Sequence, residues 1–84
     1  MNMSWDLWID YHRRDSAGLT HASLKDVEPG IVLIPGSCLI VGNEEADSAV
    51  AEVVSMEKHG VVLVRVLAGS VEDNAGRLRH GDHR

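Results

Sequence analysis

NEEADSAVAEVVSMEKHG, residues 43–60, decides the fold class of this chain, because it supports two readings. Ala46, Ala49, Val50, Val53 and Val54 recur at helical spacing, with Asn43 placed to cap the start and Gly60 to stop the end. That reading gives an α+β domain with a helix at about 44–58. In the other, residues 42–48 are an acidic loop, Ala49 to Met56 is a strand and Glu57 to Gly60 turns the chain. The strand is preferred because of its downstream neighbour. Val61 to Leu67, VVLVRVL, is apolar except at Arg65 and reads as a strand. Two strands joined by Lys58-His59-Gly60 pair most economically as a hairpin. So apolar a run predicts a strand covered on both faces, or one face used at an interface.

Upstream, turn chemistry dominates. Pro29-Gly30 and Pro35-Gly36 each offer a fixed φ followed by a residue that tolerates positive φ, as a type II turn requires. Ile31 to Ile34 between them, and Ser37 to Val41 after them, read as short strands. Trp5 to His12 alternates: Trp5, Leu7, Ile9 and Tyr11 share one face, and Asp6, Trp8, Asp10 and His12 share the other. The polar run from Arg13 to Gly18 predicts a hairpin loop, with Leu19 to Leu24 as the returning strand. Together these segments predict an all-β domain over residues 1–67, a small barrel or rolled antiparallel sheet of about five or six short strands. Residues 68–84, rich in Gly, charge and His, read as a flexible tail.

Composition narrows the function classes. The 84 residues fit one domain and carry a net charge of −5. Arg77, Arg79 and Arg84 against Asp82 make residues 77–84 locally +2, leaving −7 for residues 1–76. An acidic domain repels phosphate backbones, so no nucleic-acid partner is expected. No apolar run reaches the length of a membrane span, and Met1 to Trp5 has neither the basic nor the apolar part of a signal peptide. No membrane partner and a cytoplasmic location are therefore expected. The single cysteine, Cys38, excludes an intramolecular disulfide and has no flanking cation to make it reactive.

The stretch from Gly36 to Leu67 resembles small SH3-like barrels. The residues concerned are Gly36, Leu39-Ile40-Val41, the loop Gly42-Asn43-Glu44-Glu45, Ala51-x-Val53 and Gly60-x-Val62-x-Val64. The chain is also similar to short proteins of unknown function from high-GC Gram-positive bacteria. The resemblance implies a barrel scaffold. SH3-like domains that bind proline-rich peptides use an aromatic-lined groove. All three aromatics here lie in the first predicted strand, so that activity is not carried over.

Two constellations bear on function. Asp10 and His12 share a strand face, and a suitable loop would set His21 opposite them. Such a group would hold zinc or another divalent metal, or act as an acid–base pair. Otherwise it is a solvated face, and no cofactor is needed. Trp8 lies on that nominally polar face, where an exposed indole marks an interface. Arg65, the one charge in the Val61–Leu67 run, joins it as an interface candidate. Glu44-Glu45-x-Asp47 lacks the spacing of a calcium loop, and no phosphate-cradling loop, nucleophile elbow or HExxH motif occurs. The leading expectation is a non-catalytic interaction or accessory module, with a protein partner or a second copy of itself. The alternative is a metal-binding or small enzymatic domain built on Asp10, His12 and His21.

Overall fold

The computed structural model describes residues 5–78. Among these residues there are five strands: β1 (Leu7–Trp8), β2 (Thr20–Ser23), β3 (Cys38–Asn43), β4 (Ala46–Glu57) and β5 (Val61–Val66). They form one curled sheet, a half-barrel, in the order β1-β3-β4-β5-β2. The all-β expectation holds, and among the described residues no α-helix occurs at 44–58 or elsewhere. Among the described residues no helix is long and apolar enough to cross a membrane.

β4 is the 12-residue spine of the sheet. It pairs antiparallel with β3 on one side and with β5 on the other. The helical spacing of its apolar residues is resolved as two-sided burial: Ala51 and Val53 face the core, while Val50 is fully buried outside the core cluster. A bulge between Val53 and Ser55 then shifts the register against β5. The strand begins at Ala46 rather than Ala49. Asn43 already pairs with Ala46, so the acidic loop shrinks to the two residues Glu44 and Glu45.

Four segments offer alternate residues to one cluster: Leu7 of β1 with Ile9 just past it, Leu39 and Val41 of β3, Ala51 and Val53 of β4, and Val62 and Val64 of β5. All are aliphatic. Each Val, Leu or Ile side chain so buried contributes about 1.5–3 kcal/mol. Tyr11, Ala22, Val27, Ile31 and Leu33 pack around them.

The sheet is mixed, which corrects the expectation of an antiparallel roll. β1 does not pair with β2; it runs parallel to β3, with Leu7 opposite Val41 and Trp8 opposite Gly42. The cause is local. Asp10 Oδ1 accepts the His12 N–H at 2.9 Å, and Asp10 O accepts the Arg13 N–H at 3.0 Å. This Asx-type turn ends the extended run right after Ile9. The chain does reverse around Asp15 to Gly18, but the arms of that hairpin are only Arg13–Arg14 and Thr20–His21. β2 then pairs with β5. Beyond β2 the chain crosses to β1, where Val27 bridges Leu7 and the Glu28 N–H meets Asp6 O at 2.9 Å. The free edge of the shortest strand is thereby covered.

Both Pro-Gly turns form as expected. Ile31 N–H bonds Glu28 O across Pro29-Gly30, and Ser37 N–H bonds Ile34 O across Pro35-Gly36, with φ of 90° and 94° at the glycines. Ile31 to Ile34 alternates inward and outward without joining a ladder, so it is not the strand expected. Residues 68–78 fold back instead of trailing as a tail. Asn74, 8% exposed, gives its side-chain N–H groups to Ala68 O and Ser70 O, and Leu78 bridges Cys38. The rest of the expected tail lies outside the described residues.

Candidate functional site

A groove of ≈ 640 Å³ is lined by Trp5, Trp8, Lys25, Asp26, Val27, Glu28, Pro29 and Glu44. Its position follows from the β1–β3 pairing. Asn43 ends β3 and works both ways: its Oδ1 accepts the Glu45 N–H at 2.8 Å, and its Nδ2 donates to Ile9 O at 2.8 Å. The acidic turn is thus tied to the first segment. Glu44 Oε1 then accepts the Trp8 indole N–H at 2.9 Å, which holds the Glu44 carboxyl below the usual carboxylate range. Tyr11 adds a third link, its hydroxyl donating to Asp47 O at 3.1 Å, and burial pushes that phenol's pKa up.

The second indole lies over Gly42. A Cβ at that position would stand 3.1 Å from Trp5 Cε3 and 3.1 Å from Ser48 Oγ, so the absent side chain is what lets Trp5 settle there. On the far wall, the segment after β2 brings Asp26, Glu28 and Pro29. Three carboxylates against one lysine leave this aromatic groove negative. Indole faces beside carboxylates attract guanidinium and ammonium groups, and they bury apolar area at the same time.

Asp10, His12 and His21 are not brought together as a metal group. Asp10 uses a carboxylate oxygen to cap its own turn, His12 is exposed beyond that turn, and His21 leaves on β2. Among the described residues no three His, Cys, Asp or Glu side chains are grouped to hold a metal ion. His21 instead meets Asp15, with Nε2 and Oδ2 3.0 Å apart. That contact, with the Leu19 and Ala17 N–H groups on Asp15 Oδ1, lowers the Asp15 pKa.

Of the two interface candidates, Trp8 lies half-buried in the groove, whereas Arg65 stands exposed on β5, 3.1 Å from Glu52 of the facing strand. An exposed pair of this kind contributes between about 0 and 1 kcal/mol. Cys38 is partly buried, and its thiol pKa is raised chiefly by burial and further by Glu52.

Sequence reasoning missed Trp5, Glu44, Asp26 and Glu28 as parts of one site. Trp8 and Glu44 are 36 positions apart, and only the parallel β1–β3 pairing makes them neighbours. One signal was available: Asn-Glu-Glu after an apolar strand is a tight-turn sequence, and a turn that short sets its carboxylates beside whatever strand flanks β3. Compared with known protein families, with characterised proteins and with solved structures, the chain matches none.

Proposed function

We propose that this chain is a non-catalytic interaction module on an SH3-like barrel, and that the Trp5–Trp8 groove docks an extended, cationic segment of a partner protein. One observation carries the reading: a half-buried Trp8 fixed by Glu44 in a groove that also presents Trp5, Asp26 and Glu28. Charge complementarity selects the occupant. Arginine or lysine side chains would stack on the indoles and meet the carboxylates, while the overall charge of −5 disfavours nucleic acid and anionic membranes. The resemblance to short proteins of high-GC Gram-positive bacteria supports a bacterial setting.

Titration of the intrinsic tryptophan fluorescence with a short arginine-containing peptide tests this, beside the same peptide with citrulline at each arginine. Saturable binding of the arginine peptide, weakened about tenfold or more by citrulline or by Trp8→Ala, is expected. Equal binding of both peptides, or none, would overturn the reading. Light scattering of the free protein distinguishes a second copy as the occupant: a concentration-dependent dimer dispersed by the peptide would replace the partner with the chain itself.

A further inference from the structure

The chain is acidic, yet one corner of it is cationic. Arg13 and Arg14 stand just before the Asp15 turn, and His21 lies across that short ladder, its N–H bonded to Arg13 O at 2.9 Å. The pairing of β2 with β5 brings His59 to the same corner, because Ser23 faces Val61 just past the Lys58–Gly60 turn. Two hollows meet there. One of ≈ 260 Å³ is lined by Arg13, Arg14, Asp15 and His21. Arg13 and His21 also line the second, of ≈ 130 Å³, together with Ser23 and His59.

The hydrogen-bonding capacity of this corner is unevenly used. Asp15, the acidic residue lining it, is committed on both oxygens, to Ala17 N–H, Leu19 N–H and His21. Neither Arg13 nor Arg14 has an ion-pair partner among the described residues. His59 is held at φ 65°, a left-handed conformation uncommon outside glycine. A turn optimised only for stability would carry Gly or Asn there.

We propose that this corner is a binding site for a phosphate-type oxyanion. Arg13, shared by both hollows, and Arg14 supply the charge and the forked donors that match tetrahedral oxygens. The ring N–H of His59 closes the shell from the β4–β5 turn, and His21, held 3.0 Å from Asp15 Oδ2, lines it from β2. Asp15 is a positioning residue that fixes the His21 ring. The site shares no lining residue with the aromatic groove and does not depend on it.

The test monitors the ring protons of His21 and His59 by NMR during titration with inorganic phosphate and, separately, with glycerol phosphate, at constant ionic strength. Saturable shifts of both rings with either anion are expected; a response to glycerol phosphate alone assigns the site to phosphate esters. Removing both guanidiniums with Arg13→Gln and Arg14→Gln is expected to weaken binding at least about tenfold. His59→Gly relieves the backbone and keeps the turn, so it is expected to weaken binding a few-fold in a protein at least as heat-stable as the parent. Shifts that merely track ionic strength, or binding that survives the double arginine substitution, would overturn the assignment.

Discussion

β4 is flanked by two turns built on opposite plans. The Glu44–Glu45 turn at its start is tied into the molecule: Asn43 holds it to Ile9, Glu44 to Trp8, and Asp47 just beyond it receives Tyr11. The Lys58–Gly60 turn at its end has no side-chain cap from Glu57 and keeps His59 at positive φ. The same sheet thus has one end fixed by long-range hydrogen bonds and another that holds local strain. The aromatic groove sits at the first end and the cationic corner at the second. The Glu44–Glu45 turn is ordered by the residues it reaches, the Lys58–Gly60 turn by its own backbone.

The contrast can be broken most severely at Asn43. Asn43→Ala removes two side-chain bonds in a partly buried position and is expected to destabilise the fold by about 2 kcal/mol in urea unfolding. At the opposite turn, Lys58→Ala should stay within about 0.5 kcal/mol. A Lys58 effect as large as that of Asn43 would erase the distinction. Next comes Gly42→Ala, whose methyl must displace Trp5 or Ser48. About 1 kcal/mol of destabilisation with a red-shifted tryptophan emission is expected, whereas destabilisation with an unshifted spectrum would mean that Ser48, and not Trp5, gives way.

The third change has the opposite sign. His59→Gly should stabilise the protein by several tenths of a kcal/mol in thermal unfolding, up to about 1 kcal/mol, because only glycine takes that conformation without steric cost. The smallest effect is pH-dependent. The folded pKa of Glu44 lies below its unfolded value. Its bond to Trp8 is therefore fully present above the ordinary carboxylate range and is lost as pH falls through the lowered folded value. Trp8 emission should change over that acid window in the parent protein and stay flat in Glu44→Gln.

Much of the sheet was legible in the sequence. Leu7 and Ile9, like Val62 and Val64, alternate inward as their spacing implies, and both Pro-Gly pairs turn the chain as their chemistry requires. The partner of β1 was not legible. Asp10 reads as one more outward residue of a strand, yet its carboxylate captures the His12 N–H and ends the strand, and no periodicity records that competition. The candidate site suffered the same limit. Trp8 drew notice on its own because an indole on a polar face is unusual, while Glu44, Asp26 and Glu28 look like ordinary solvated acids until register sets them around it. The metal reading of Asp10, His12 and His21 failed because it presumed that the nearest strands in sequence are neighbours in the sheet.

The parallel pairing of Leu7–Trp8 with Val41–Gly42 also constrains how the molecule comes together. β3, β4 and β5 form a meander of short connections that close quickly, while β1 must bridge a far longer stretch of chain for two residues of ladder. The expected order of assembly is the meander first, with β1 and β2 joining later. Because Trp8 belongs to β1, Trp5 just precedes it and the far wall follows β2, the aromatic groove comes into being only late, so a partner that selects it selects completed molecules and leaves folding intermediates unbound.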